Sequence, residues 1–350
     1  MTIKLHIPEP LPGVDLAPWF RSQGGDALFA RKAHSTFFQT VSRVVLEEAS
    51  AIVLPHNFLR IDDSVCEYIK RYADLGEKYD IPVILFSLGD LSDVLQFDAR
   101  AKVLRLSTYR SGIGSQDVVM PTLTEDLGAE QFELRAKQEI TTVSFYGRAA
   151  FNSTRERIAS WVRRLKYEAV GILKPKERAR IRGIFWRQWM MRACEHSTLV
   201  KTLFIVRRTF SGALRTIEVS PEQAREDFIA SIKDADFVLA PKGDGNYSNR
   251  FLEALSMGRI PVVVDTDIVL PLEDTIDYSK IMVRVPMERV DETPRFIAEF
   301  YKGLDEEGWQ ERQRLARETF VQYLSVDAFF KHFFDTVVTC VASPGQPSKE

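Results

Sequence analysis

The sequence predicts an α/β protein made of two doubly wound units in tandem. Three observations predict it. Short β-branched runs alternate with amphipathic helical stretches, the alternation breaks near the middle and restarts, and a chain of 350 residues exceeds the length at which one hydrophobic core stops growing. Strands separated by helices imply parallel sheets, because parallel neighbours need crossover connections.

In the first half, Ala51 to Leu54 reads as a buried strand and Asp62 to Lys78 as a helix with acidic residues at its positive end. Ile81 to Phe86, Lys102 to Leu106 and Val118 to Met120 follow as strands. The second half repeats the pattern. Thr141 to Phe145 is a strand ending at Gly147, and Thr154 to Val170 is a helix capped by Asn152 or Ser153. Val200 to Val206, Phe237 to Leu239 and Ile260 to Val264 read as strands, with helices at Pro221 to Lys233 and Asn249 to Met257.

The boundary is expected between Gly128 and Ile140, where the helix-forming segment AEQFELRAKQE separates the sheets, giving units 1–135 and 136–325. Helices follow at Pro294 to Leu304, Glu306 to Tyr323 and Val326 to Val341. The last has a face of Phe329, Phe330, Phe333 and Phe334 that needs cover, and the tail ASPGQPSKE is expected to fray.

Hydrophobic residues at 45% and charged residues at 27% exclude a disordered or fibrous chain. A formal net charge of -2 gives no global field for nucleic acid, and no nucleic-acid motif is present. Cys66, Cys194 and Cys340 are odd in number and scattered, so neither a disulfide framework nor a metal site is expected. The start, MTIKLHIPEPLPG, lacks the apolar core of a signal peptide. No apolar run approaches the roughly 18 to 20 residues that span a bilayer, so a cytoplasmic location is expected.

Asp236 to Pro271 carries the chemistry: strand, glycine-containing loop, helix, strand. The loop Lys242-Gly243-Asp244-Gly245-Asn246 leaves the carboxyl end of a buried strand, the edge at which open α/β sheets bind ligands. Its glycines allow close backbone approach, and the helix beginning near Ser248 offers unpaired N–H groups to an anion. Arg250 in the first helical turn opposes the helix dipole unless an anion is held there. Glu253 shares its face and reads either as a ribose-binding carboxylate or as half of a surface ion pair.

This segment resembles the core of the exostosin family of glycosyltransferases. The matching positions are Phe237, Leu239, Pro241, Lys242, Gly243 and Asp244; then Ser248, Arg250, Phe251, Glu253, Ala254, Leu255, Gly258, Ile260, Pro261 and Val262; then Asp267, Leu270 and Pro271. IDYSKIMVRVP, Ile276 to Pro286, is similar to the family's continuation. Weaker echoes are SFYGR at Ser144 to Arg148, VILFSLGD ending at Asp90, and QDVVMP at Gln116 to Pro121.

The resemblance implies a GT-B architecture. Two Rossmann-like domains would face one another across a cleft, with donor in the C-terminal one, acceptor in the N-terminal one, and the last helix returning to the N-terminal domain. It also implies an inverting mechanism without an essential metal or other cofactor, and UDP-sugar donors. Where Golgi members often carry cysteines this chain has Val238 and Arg259, and Lys242 replaces arginine; these changes and the missing membrane anchor fit a cytoplasmic, bacterial-type relative working on surface polysaccharide.

Inverting transfer needs a base for the acceptor hydroxyl and positive charge for the leaving diphosphate. Arg148, Lys242, Arg250 and the helix start at Ser248 are the expected phosphate groups, Glu253 the ribose group, and Asn246 and Tyr247 the sugar or base contacts, with Gly243, Asp244 and Gly245 forming the loop. Asp90 is the expected base and His56 the runner-up; Asp93 and Glu125 remain open. Gly24-Gly25-Asp26 reads as a turn.

The Lys- and Arg-rich stretch 148–192, with Trp161, Phe185, Trp186 and Trp189, reads as a solvated helical face or as a peripheral contact with anionic lipid or a lipid-linked acceptor. A non-catalytic glycan- or nucleotide-binding protein and a sugar-nucleotide epimerase are the competing readings. The first would bind donor without turnover, and the second would convert donor with no acceptor present.

Overall fold

The computed structural model describes residues 3–21, 35–92, 95, 97, 100–207 and 220–341. The turn at Gly24 to Asp26, Asp93 and the tail from 342 lie outside the described residues.

The front unit has one parallel sheet of six strands in the order β2-β1-β3-β4-β5-β6. These are β1 (Lys4–His6), β2 (Ser42–Arg43), β3 (Ala51–Asn57), β4 (Val83–Ser87), β5 (Lys102–Arg105) and β6 (Asp117–Val119). Strands β3 and β4 are buried on both faces, which is why they read as continuous apolar runs. The three-residue β1 is held by its pairing with β3 and escapes detection by periodicity. Helix α1 (Phe37–Thr40) is short, and α2 (Asp63–Tyr79) starts where Asp62 accepts the N–H of Val65.

The rear unit has a parallel sheet of five strands: β7 (Thr142–Arg148), β8 (Lys201–Arg207), β9 (Phe237–Leu239), β10 (Ile260–Asp265) and β11 (Val283–Pro286). Their order, β11-β10-β9-β7-β8, is a doubly wound order whose direction reverses between β7 and β9. The crevice outside those two strand ends is where such sheets take ligands. Around the sheet lie α3 (Thr154–Leu173), α4 (Gly183–Glu195), α5 (Pro221–Lys233), α6 (Asn249–Ser256), α7 (Thr293–Lys302) and α8 (Glu306–Thr319).

The segment AEQFELRAKQE is not helical, contrary to its propensity. Its backbone is claimed by the rear unit instead. Gln313 on α8 exchanges two 2.8 Å hydrogen bonds with Arg135, the Tyr301 hydroxyl accepts the Gln138 N–H at 2.6 Å, and Arg259 donates to the Glu133 carbonyl at 3.0 Å. The buried Arg259 thus ties the linker to α8. Helix α4, in the stretch expected as a solvated helical face, instead buries Phe185, Trp186, Met190, Met191 and Cys194. Phe185 and Trp186 are therefore core residues and unavailable to a membrane.

The last helix, α9 (Val326–Val341), crosses back to the front unit as the GT-B expectation requires. Its Phe329, Phe330, Phe333 and Phe334 share one buried core with Phe37, Phe38 and Phe86. Asp327 seals the return: its carboxylate accepts hydrogen bonds from the Ser35 hydroxyl, the Thr36 hydroxyl and N–H, and the Phe37 N–H at the start of α1. Burial alone pushes this carboxyl up, but those hydrogen bonds outweigh it and hold the group below its ordinary 3.8.

A depressed folded-state value means that the contribution to stability is complete above pH 3.8 and lost as pH falls through the lower folded value. Asp327→Ala is expected to cost about 1 to 2 kcal/mol, read as a lower denaturant midpoint at neutral pH. The gap from wild type should close as the pH is taken below that range. A gap that persists there would mean that the carboxylate charge is not what seals the helix.

Candidate functional site

Three strand ends of the rear sheet converge: Gly147 and Arg148 at the end of β7, residues 240–248 after β9, and Thr266 to Pro271 after β10. Across from them stand two front-sheet ends, Asp90 after β4 and Ser107 to Tyr109 after β5. Direct contacts join the two edges. The Gly245 N–H reaches Asp90 Oδ1 at 3.2 Å, the Asn246 N–H reaches Ser107 Oγ at 2.8 Å, and Tyr109 bridges Ile268.

The loop's residues divide by what they touch. Gly243 donates to the Tyr247 carbonyl at 2.8 Å, closing the loop on itself. Gly245 must lack a side chain, since a Cβ there would lie 3.0 Å from the Asp90 backbone and 2.7 Å from the Tyr247 ring. Ser248 precedes α6 in extended conformation and its side chain caps nothing, so the first N–H groups of the helix have no side-chain partner. Tyr247 is half-buried, and its hydroxyl bonds to the Asp90 carboxylate; burial and that charge together push it well above the ordinary tyrosine range.

Two expected ligand groups prove to be fasteners. Asn246 is buried with its side chain saturated: Nδ2 donates to Thr108 O at 2.9 Å and Thr266 O at 3.1 Å, and Oδ1 accepts from the Thr266 hydroxyl at 2.7 Å. It stitches the two sheet edges and, buried, has no amide N–H left for a sugar or base. Lys242 is buried too, with Nζ donating to Ala179 O at 2.6 Å and Tyr109 Oη at 3.0 Å. Burial, with help from Arg180, pushes its ammonium down to about 7. It anchors the loop from below.

The cations that face the crevice are arginines. Arg250 on α6 clasps the Tyr146 carbonyl through Nε at 2.8 Å and Nη2 at 2.6 Å. Its guanidinium fills the space that a Cβ on Gly147 would take, 2.1 Å away, and Gly147 has the φ of +139° that glycine alone tolerates. Buried Glu253, one turn on, supports that charge. Arg148 binds Glu156 at 2.5 Å, and Glu156 also holds Arg182 at 3.2 Å, which reaches Asp244 at 3.2 Å.

Arg187, on α4, was missed in the sequence because it sits mid-helix among core aromatics. It donates Nη1 to the Arg148 carbonyl at 3.0 Å, while its buried Nε has no partner. Burial pushes it down to about 10, and the charges of Arg250, Arg148 and Arg182 add to this against Asp244. Neither Arg187 nor Arg250 has a carboxylate at ion-pair distance among the described residues.

Asp90 is exposed at the cleft. The turn before it is held by Asn57, whose side chain accepts the Leu88 N–H at 2.6 Å. His56 is elsewhere: it lies inside β3, fully buried, with Nε2 accepting the Leu11 N–H at 2.8 Å. Burial pushes the ring down and keeps it neutral, and residues 11–17 cover it, so it cannot serve an acceptor. Glu125 is paired with Arg225 at 2.8 Å. A cavity of about 250 Å³ among Glu133, Arg135, Lys233 and Arg259 opens at the amino edge of the rear sheet, the wrong edge for a ligand of this fold.

A family model described as the Exostosin GT47 domain matches residues 107–300, more than half of the chain. The chain belongs to this family. Within the Exostosin GT47 domain lie the whole arginine cluster, the loop and α6. A probable glucuronosyltransferase of Oryza sativa subsp. japonica is 37% identical over 71 residues, 20% of this chain and 17% of the relative. Exostosin-1 of Drosophila melanogaster is 39% identical over 66 residues, 19% of this chain and 9% of the relative. The matched stretch therefore spans less than a fifth of each relative.

Among solved structures, a glycosyltransferase from Rickettsia africae aligns over 98% of this chain and 100% of its own, with TM-score 0.39 and 10% identity. A lipopolysaccharide outer core galactosyltransferase aligns over 97% and 99%, with TM-score 0.40 and 12% identity. At that distance none of their chemistry transfers to this chain.

Proposed function

We propose that this member of the Exostosin GT47 family is an inverting glycosyltransferase. It moves a sugar from a nucleoside-diphosphate donor, UDP-linked, to a hydroxyl of a glycan or lipid-linked glycan, in surface-polysaccharide assembly. One observation carries the reading. Among the described residues, the guanidiniums of Arg148, Arg182, Arg187 and Arg250 crowd the β7–β9 switch point with only Glu156, Asp244 and Glu253 in opposition, and Arg187 has a buried N–H unmatched.

An uncompensated buried charge costs several kcal/mol in an empty site, and a diphosphate at the start of α6 supplies the missing negative charge. The same guanidiniums oppose the charge that builds on the leaving diphosphate, so the reading requires no divalent cation. Glu253 is assigned to the ribose, and Asp90, on the acceptor side, to the proton of the attacking hydroxyl.

Arg187→Ala tests this directly. Without ligand the variant is expected to be at least as heat-stable as wild type, because it loses one hydrogen bond and a repelling charge. Its affinity for UDP, by calorimetry, should fall about 10- to 100-fold, the worth of one charge-assisted bond. Wild-type affinity for UDP in Arg187→Ala, or no binding of UDP by the wild type, would defeat the proposal.

A further inference from the structure

Helix α3 carries an apolar stripe that is exposed among the described residues; only Trp161, whose ring meets Phe185 and Arg164, is partly covered. Ile158, Trp161, Val162, Leu165, Ile172 and Leu173 fall on one face at helical spacing, a run of about 22 Å, and all are exposed, with Ile172 at 80% and Leu173 at 88%. The opposite face does the packing: Ser160 and Gly171 are buried, and residues 175–180 fold back so closely that a Cβ on Gly171 would meet the Arg178 side chain. The stripe is thus not spare core.

Charge identifies what covers it. The 3.6-residue period places Arg155, Arg163, Lys166 and Lys174 along one side and Arg157 on the other. All five are exposed, and none makes an ion pair among the described residues. The two acids of α3 are spent on internal pairs, Glu156 with Arg148 and Arg182, and Glu168 with Arg164. A second copy laid on this face would bring two cationic borders together, whereas an anionic bilayer accepts both the apolar stripe and its cationic margins.

We propose that α3 docks the protein onto anionic membrane, lying in the plane of the interface with Trp161 and the aliphatic side chains among the headgroups. The stripe begins two residues beyond Glu156, which holds Arg148 and Arg182, so the docked helix starts beside the candidate site, with Glu156 on its protein-facing side. The proposal does not depend on the donor reading.

Flotation of the full chain with vesicles tests it, comparing phosphatidylcholine alone with phosphatidylcholine and phosphatidylglycerol. Wild type should float with the anionic vesicles only, and added salt should release it. The variant Ile158→Glu/Leu165→Glu/Leu173→Glu should stay unbound. The variant Arg155→Gln/Arg163→Gln/Lys166→Gln should bind about fivefold more weakly for each cation removed. Both should keep the wild-type thermal midpoint, since every changed side chain is exposed. Equal binding to neutral vesicles, no flotation, or binding that neither variant weakens would overturn the proposal. So would a concentration-dependent dimer that the apolar variant dissolves without any flotation.

Discussion

Asp90→Asn is expected to lower kcat by about 10²- to 10⁴-fold, the usual contribution of a positioned general base, while donor affinity stays near wild type. The separation of the two effects follows from geometry. Asp90 Oδ1 accepts the Gly245 N–H, and the Tyr247 hydroxyl also bonds to the carboxylate. Asparagine keeps an oxygen for Gly245 and an amide for Tyr247, so the loop between β9 and α6 keeps its shape. What asparagine cannot do is take a proton. A merely structural Asp90 predicts the reverse pattern, with kcat intact in Asn and donor affinity lost only in Asp90→Ala. Steady-state kinetics with the active donor, paired with calorimetry on UDP, distinguishes the two. Unreduced kcat in Asp90→Asn would remove the base from the proposed mechanism and return the role to an unassigned group.

Much of the frame around that carboxylate is legible without coordinates. Strands β3, β4, β9 and β10 are buried on both faces, and burial of that kind writes itself as continuous β-branched runs. The helix start near Ser248 and the strand end at Gly147 show as residue types common at such places. The tertiary claims on polar groups do not show. AEQFELRAKQE has helical propensity, yet Gln313, Tyr301 and Arg259 from distant parts of the chain claim its backbone, and propensity of a few tenths of a kcal/mol per residue yields to that.

Asn246 and Lys242 look like ligand groups from their place in a glycine loop. Their partners, Thr108 and Tyr109, Ala179, and Thr266, come from three other segments, so that their polar atoms are already engaged is invisible in one dimension. Arg187 errs the other way. Inside GIFWRQWMMRACE it reads as one cation among several on a solvated helical face, and only the register of α4 against β7 puts its guanidinium against the Arg148 carbonyl. His56 follows Pro55, which reads as a strand terminator, but β3 continues through both because residues 15–17 pair with its end.

The largest effect on stability is expected at Asp236, a residue of the loop motif that never nears the ligand. It enters β9 fully buried, and its carboxylate accepts the Thr142 N–H at 2.8 Å, the Thr142 hydroxyl at 2.8 Å, the Thr141 hydroxyl at 3.1 Å and Arg135 Nε at 2.9 Å. One side chain thereby locks the start of β7 to the start of β9 and fastens the linker at Arg135. Asp236→Ala leaves the buried N–H of Thr142 and the Arg135 guanidinium without that partner, and breaking a buried pair from one side costs about 3 to 5 kcal/mol. In a unit of this size that corresponds to a thermal midpoint lower by roughly 10 °C. Arg135→Ala should cost much less, because its head is partly in water, and the double variant should cost less than the sum. If Asp236→Ala melted within a degree or two of wild type, the carboxylate would not be what sets the spacing of β7 and β9. The crevice between those strands, where the arginines gather, would then owe its width to the apolar core alone.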